Sequence, residues 1–301
     1  MKKYLPLLAN IASQMLFGFA YIFMKMGMAV VGQDTVKFLS FRFGLGFLAM
    51  TLILAAGFQK VKYKGRPVHL ILICGMFNPL VSQVLETTST TYAPASQIAL
   101  YASAMPALML VFAALINHEY PTKAQVVFVL VTMAGVLVAN LSDKSATGLT
   151  ALGLFFIVSS NIVIALGRVM VRRASKVFTS FEIVYITTAV GAAAFTAISL
   201  GGHVMSAPVA TYFSGLLCPE FIAAVLYMGI GSCVGAFLLM TYASAHLPVA
   251  VFASTCTLGT VVGIVSGVVI LGETFQATDI LGTGIILAGI IGISLSYETA
   301  D

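Results

Sequence analysis

Ten long apolar runs, joined by mostly short polar connections, are the feature that most constrains this chain of 301 residues. An α-helix needs about 20 apolar residues to cross a bilayer. Only 8% of the residues are charged, against roughly 25% in soluble domains. The sequence therefore predicts an all-α integral membrane protein with ten transmembrane helices, over approximately Tyr4–Ala29, Thr35–Gly57, Val68–Thr88, Ala95–Ile116, Ala124–Leu141, Leu149–Val171, Phe181–Leu200, Phe221–Ala243, Val249–Leu271 and Thr278–Ser296.

Basic residues in the connections predict the orientation of these helices. Cytoplasmic connections are enriched in Lys and Arg. If the N-terminus is cytoplasmic, the far side receives only Lys144 and, near a helix end, Lys37. With an even number of helices, both termini are then cytoplasmic, on the side that collects Lys2, Lys3, Lys60, Lys62, Lys64, Arg66, Lys123, Arg172, Arg173 and Lys176.

Two segments far apart in the chain are similar to each other. Leu115–Val138 matches Val269–Gly292 at a constant offset of 154, which pairs Glu119 with Glu273 and Gly135 with Gly289. The offset corresponds to a repeat of five helices, and an odd number inverts the second copy, as in many secondary transporters. We expect one unit over residues 1–145 and an inverted unit over 146–301, with a structural role for the paired glutamates.

Four stretches together resemble the EamA-type members of the drug/metabolite transporter superfamily. They are LLANIASQMLFGFAYIFMKMGM in the first helix, Phe41-Arg42-Phe43, the stretch from Leu85-Glu86-Thr87 to Tyr92-Ala93-Pro94-Ala95, and Tyr227–Glu273. The resemblance implies ten helices in two inverted halves, a bacterial inner (plasma) membrane location, and export of metabolites such as amino acids by alternating access. It also implies a central cavity lined by helices 1, 3, 4, 6, 8 and 9. Unlike many relatives, the chain has no Trp.

Ionisable residues inside the apolar runs are the main candidates for function, because an intramembrane charge usually faces a cavity or a partner. In the third run, Asn78, Gln83 and Glu86 fall roughly on one helical face. We expect this face to bind a substrate amine or to carry a coupling proton. The alternative is that Glu86 forms a structural or gating ion pair with Lys25 or Arg42.

The basic residues of the runs have two interpretations. Lys25 and Arg42 are candidates for a gate, but long basic side chains near helix ends also snorkel to the interface. For Arg168, one turn before Arg172 and Arg173, snorkelling is the favoured interpretation.

Polar and aromatic residues at mid-depth form the predicted substrate pocket. Each of them has an alternative role in packing or in bonding its own helix. The set comprises Gln14, Phe17, Tyr21, Asn78, Gln83, Glu86, Tyr101, Asn161, Ser232 and Thr255.

Several classes of function lack their motifs. The chain has no phosphate-binding G-x-x-x-x-G-K-[ST] loop, and its four Cys and four His show no metal-ligand spacing. We therefore expect no cofactor, no metal and no nucleic acid, but a small-molecule substrate, a lipid bilayer, and a monomer or homodimer. The leading function is secondary transport rather than enzymatic activity. The alternatives are a multidrug or cation exporter, a membrane-embedded enzyme, and a channel.

Overall fold

The computed structural model of the chain describes residues 4–32, 34–92, 105–139, 151–205, 208–259, 261–262 and 277–298. Over these ranges the backbone forms helices and connecting turns, without a strand. In chain order the α-helices are α1 (Leu5–Val30), α2 (Thr35–Ala55), α3 (His69–Gly75), α4 (Ser82–Tyr92), α5 (Met105–Phe112), α6 (Lys123–Ala139), α7 (Ala151–Ala174), α8 (Ser180–Val204), α9 (Val209–Tyr212), α10 (Pro219–Leu226), α11 (Phe237–His246), α12 (Val249–Cys256) and α13 (Ala277–Glu298). Four short segments continue these helices, the π-helical Met76–Val81, Ala113–Asn117 and Tyr227–Ala236 and the 3-10 segment Phe213–Leu217.

Helices of membrane-spanning length dominate the described part of the chain. Six are long and apolar enough to cross a bilayer, namely Leu5–Val30, Thr35–Ala55, His69–Glu86, Ala151–Ala174, Ser180–Val204 and Pro219–His246. Three shorter apolar helices, Met105–Asn117, Lys123–Val138 and Ile280–Ile293, fall on further predicted spans. The prediction of an all-α membrane protein is confirmed. The remaining predicted span, Val249–Leu271, lies partly outside the described residues.

Local capping fixes where two of the long helices begin. The side chain of Asp34 accepts a hydrogen bond from the backbone N–H of Lys37 at 3.0 Å, so α2 begins at Thr35 as predicted. Thr179 and Glu182 form a capping box at the start of α8. Because this box bonds two backbone N–H groups that the helix itself leaves unpaired, the start of α8 is well defined.

The third predicted span is interrupted in its middle. Met76–Val81 is π-helical and contains Pro79, and Asn78 has non-helical backbone angles of φ −140° and ψ 113°. Proline has no N–H to donate within a helix. The expectation that Asn78 and Glu86 share one regular helical face is therefore wrong, because the 3.6-residue period is lost between them.

The last helix of the first predicted repeat, α6, packs against the last helix of the second, α13. A Cβ on Gly135 would lie 2.7 Å from the backbone nitrogen of Ile286, and one on Gly289 would lie 2.5 Å from Thr132 Oγ1. Backbones this close require glycine at the contact. These glycines are therefore explained by packing of α6 on α13 within one chain.

One end of the bundle, which we call the basic end, carries the connections at residues 56–68 and 175–179. The carboxylate of Glu182 accepts hydrogen bonds from the backbone of Lys62 at 2.8 Å and from Arg66 Nη1 at 3.3 Å. Tyr63 donates to the backbone oxygen of Glu182 at 3.2 Å. Burial, and then the negative charge of Glu182, raise the pKa of Tyr63 above its ordinary value. These contacts tie the connection after α2 to the start of α8.

Candidate substrate site

Arg42 is buried in the interior of the bundle and does not snorkel to an interface. Its side chain is 6% exposed. Arg42 Nη2 donates to Ser232 Oγ at 3.1 Å and Nε donates to Cys233 Sγ at 3.3 Å. Both partners lie in the π-helical segment Tyr227–Ala236. The guanidinium therefore holds α2 against the widened part of the eighth span through two neutral hydrogen-bond partners.

The carboxylate of Glu86 provides an opposite charge in this region. Arg42 and Arg168 are the guanidinium groups that act on it electrostatically, and Gln83 Nε2 donates to Glu86 Oε2 at 3.1 Å. Gln83 is thus a direct hydrogen-bond partner of Glu86, and Arg42 interacts with Glu86 electrostatically. The side chain of Lys25, the other predicted partner, lies outside the described residues. We call Arg42, Glu86 and Arg168 the charged cluster.

Arg168 lines an internal cavity, so the expectation that it snorkels is wrong. A Cβ on the preceding Gly167 would lie 3.1 Å from Asn78 Cβ, which shows how closely α7 approaches the interrupted segment. The Nε atom of Arg168 is buried without a hydrogen-bond partner in the structure. An unpaired buried donor carries a desolvation penalty, so it is available to an acceptor that enters the cavity.

The cavity beside Arg168 is too small for a metabolite in this conformation. Its volume is about 30 Å³, room for about one or two water molecules. Its described lining residues are Phe43, Asn78, Pro79, Arg168, Val171, Ile183, Val184, Thr187, Thr188, Phe237, Met240, Thr241, Ser244 and Phe252. The helices around it must therefore separate before a solute of amino-acid size enters.

Polar residues of α1 contact α12 directly. Asn10 Nδ2 donates to Thr255 Oγ1 and, at 3.3 Å, to the backbone oxygen of Phe252. Gln14 is 3% exposed, and its Nε2 lies 3.7 Å from Cys256 Sγ. The predicted residues Gln14 and Thr255 thus lie at one helix interface. Neither is among the described residues that line the cavity at Arg168.

The other predicted site residues are distributed around the bundle. Phe17 packs edge-on against Phe237 with ring centroids 5.3 Å apart, and Phe237 itself lines the cavity. Asn161 is buried, 7% exposed, on α7. Tyr101 and the side chain of Tyr21 lie outside the described residues. Of the predicted set, Glu86 belongs to the charged cluster, Gln83 and Ser232 form hydrogen bonds with it, and Asn78 lines the same cavity as Arg168.

Four small polar residues of the cavity were missed by the sequence analysis. Thr187 and Thr188 lie on α8, and Thr241 and Ser244 lie on α11. The predicted lining did not include the seventh span, to which Thr187 and Thr188 belong. The sequence feature that could have identified these four residues is a hydroxyl group inside an apolar run. This feature is a weak indicator, because such residues usually bond their own helix. Among the described residues no group of three or more His, Cys, Asp or Glu side chains could hold a metal ion.

Membrane-length helices around buried charges and an internal cavity are typical of multi-pass membrane transport proteins. The chain belongs to the EamA-like transporter family, whose model matches residues 5–141 and again residues 151–295. It is 25% identical over 292 residues to the "Uncharacterized transporter YcxC" of Bacillus subtilis (strain 168), covering 97% of this chain and 93% of that protein. A solved structure titled "Crystal structure of protein" shares the fold, with a TM-score of 0.78 and 18% identity over 98% of both chains.

Proposed function

We propose that this chain is a secondary transporter that exports small zwitterionic or anionic metabolites, amino acids among them, by alternating access. The observation that carries the proposal is the charged cluster, in which the guanidinium groups of Arg42 and Arg168 both act electrostatically on the carboxylate of Glu86. The cluster has one positive charge in excess. Because an unbalanced charge inside a membrane is unfavourable, a substrate carboxylate would stabilise the occupied state.

Each member of the charged cluster has a distinct role in this proposal. Arg168, with its unpaired buried Nε, receives the substrate carboxylate. Arg42 adds positive potential while remaining fixed by Ser232 and Cys233. Glu86 receives the substrate amine, or carries a proton whose release is coupled to the gradient. The lining of the opened cavity is completed by other residues of the predicted pocket, namely Phe17, Tyr21, Tyr101 and Asn161.

Two observations support the proposed pair of inverted five-helix units, residues 1–145 and 146–301, and hence ten helices. The family model matches the chain twice, with the boundary between residues 141 and 151. At the sequence offset of 154, Asn78 in the first interrupted segment corresponds to Ser232 in the long π-helical segment. Many transporters have interrupted helices at equivalent places in their two halves, beside the substrate site, so this correspondence supports the proposed repeat.

The small size of the cavity at Arg168 supports the proposal of alternating access. At about 30 Å³ it is closed to metabolites, so transport requires two further conformations that open it to either side. We place the basic end in the cytoplasm of a bacterium, with both termini there, because Lys and Arg are concentrated in that set of connections. Directional export then needs an ion gradient or a difference in affinity between the two open states.

The test is counterflow in liposomes loaded with one unlabelled L-amino acid at a time, with the same labelled amino acid outside. We expect saturable accumulation for one chemical class, and loss of that signal in Glu86→Gln. The control is Glu220→Gln, which removes one carboxylate from an exposed position. Unchanged counterflow in Glu86→Gln would refute the role of this residue in the site.

Counterflow also separates the other classes of function. Exchange of a cationic drug, with none of any amino acid, would replace the proposal by the multidrug or cation exporter. A flux that never saturates would indicate a channel. The family and its relative in Bacillus subtilis are both described as transporters, which favours transport over a membrane-embedded enzyme.

A further inference from the structure

A second cavity lies at the end of the bundle opposite the basic end. It has a volume of about 330 Å³, within the range of roughly 300–1,000 Å³ that is typical of small-molecule sites. Its described lining residues are Asp34, Val36, Lys37, Ile198, Ser199, Gly202, His203 and Tyr212. None of these lines the central cavity. In the present conformation this second cavity has room for a metabolite, which the cavity at Arg168 does not.

The walls of the second cavity are held in place by hydrogen bonds around Tyr212. This side chain is 3% exposed, its hydroxyl donates to Ser199 Oγ at 3.0 Å, and it shares a further hydrogen bond with Ser40 Oγ. The ring of His203 packs edge-on against Tyr212, with centroids 5.3 Å apart. These contacts join α2, α8 and α9. A site whose walls are fixed before binding loses less entropy when it is occupied.

Charges of both signs line this cavity. Lys37 Nζ lies 5.3 Å from the centroid of the Tyr212 ring, which keeps the ammonium group at the wall. One turn away, Asp34 accepts the backbone N–H of Lys37 through Oδ1, and its other carboxylate oxygen has capacity for a further donor. The cavity therefore presents one cation and one carboxylate, an arrangement that complements a small molecule with an amine and a carboxylate.

We propose that this cavity is a second binding site, for a small zwitterionic amino acid, at the mouth of the transporter. The carboxylate of the ligand pairs with the ammonium group of Lys37, and its own ammonium group pairs with the carboxylate of Asp34. A site in this position holds a solute outside the central cavity while that cavity is closed. The choice of ligand class rests on the proposed function, but the binding site is independent of the charged cluster.

The absence of tryptophan from the sequence allows a direct measurement. Ile198 lines the second cavity and is 58% exposed, so an Ile198→Trp variant places the chain's one indole at this site without removing a core residue. The purified variant in nanodiscs is titrated with each standard L-amino acid while its emission is recorded. We expect a saturable change in emission for at least one amino acid. The matching amine without a carboxylate, and the matching acid without an amine, should bind about tenfold or more weakly, because each lacks one charge-assisted contact.

Variants in the Ile198→Trp background locate the binding. Lys37→Gln should weaken it about tenfold or more. Asp34→Asn should do the same while preserving the helix cap, since Asn caps a helix as well as Asp. Lys60→Gln, at an exposed lysine of the basic end, and Glu86→Gln, in the charged cluster, should leave the titration unchanged.

Two results would overturn this inference. One is an emission that responds to no amino acid. The other is a response that Glu86→Gln removes and Lys37→Gln leaves intact, since the indole would then be reporting on the central site. Counterflow that proceeds normally while the emission stays constant would reject the second site and leave the proposed function standing.

Discussion

Arg172 Nε lies 2.7 Å from Glu119 Oε2 and 2.9 Å from Glu119 Oε1, so one nitrogen is shared between both carboxylate oxygens. The same guanidinium donates through Nη1 to the backbone oxygens of Ser244 and Leu247. Glu119 follows the π-helical segment after α5, and Leu247 lies between α11 and α12. One side chain of α7 therefore joins three parts of the basic end. This contact agrees with the structural role expected for Glu119 from the sequence.

Removing the guanidinium of Arg172 should loosen the basic end. Arg172→Gln leaves the carbonyl oxygens of Ser244 and Leu247 without this donor, and we expect the free energy of unfolding to fall by about 2 kcal/mol. The measurement is thermal unfolding in detergent. Arg173→Gln is the matched control, because this neighbouring side chain is exposed. Equal melting temperatures for the two variants would show that the contact contributes nothing to stability.

Alkaline pH should destabilise the protein in part through Tyr63. Its pKa in the folded protein is raised above 10, first by burial and then by the charge of Glu182. The unfolded chain therefore releases this proton at lower pH than the folded protein does. The resulting stabilisation is present below about pH 10 and is lost as the pH rises through the folded pKa.

The check is the alkaline limb of stability against pH. In Tyr63→Phe, the fall in melting temperature above pH 10 should be shallower than in the parent. Tyr120→Phe is a control at an exposed tyrosine, and it should follow the parent. A Tyr63→Phe profile that coincides with the parent's at every pH would contradict the assigned pKa shift.

The contact between α6 and α13 should tolerate no methyl group at Gly289. In Gly289→Ala the new Cβ would lie 2.5 Å from Thr132 Oγ1 and 3.0 Å from the backbone nitrogen of Thr132. We expect destabilisation by about 1–3 kcal/mol, as for overpacked cores. Gly284→Ala, on the same helix and with nothing within 4 Å of its added Cβ, should be neutral or slightly stabilising. Similar melting temperatures for the two variants would argue against this interface.

Arg42 should require its guanidinium and not only its charge. An ammonium group is a compact charge and does not reproduce the planar set of donors that spans Ser232 and Cys233. We expect Arg42→Lys to reduce counterflow about tenfold and Arg42→Gln to abolish it. Arg173→Lys is the control on an exposed arginine. If Arg42→Lys transported as well as the parent, positive potential alone would account for the role of this residue.

The sequence was most informative where a prediction depended on composition and local chemistry. Long apolar runs with few charges have one stable solution in a bilayer, which is helices, because backbone groups find no water to bond there. The start of α2 was also predicted correctly, and the N-cap residue Asp34 directly precedes Thr35. An ion pair between Glu86 and Arg42 was an alternative drawn from the number and direction of the spans, and it stays a prediction; the structure gives an electrostatic interaction between the two groups.

The sequence was less informative where a residue's role depended on the shape of another helix. Arg168 was expected at the interface because it precedes two further arginines, yet it lines the internal cavity beside Asn78. Its position depends on Gly167, which lets α7 approach the interrupted segment at Asn78. Hydropathy and spacing contain no information on such an approach, because they treat each helix as regular and isolated.

The sequence by itself determined that this chain is a helical membrane protein, and its motifs indicated the transporter family to which it belongs. The tertiary structure decided which polar residues face the cavity, which of them only join helices, and where the two cavities lie. The physical reason is that partition into a bilayer is a property of each segment's composition. The pairing of Arg42, Glu86 and Arg168 instead depends on distances among α2, α4 and α7, which packing sets.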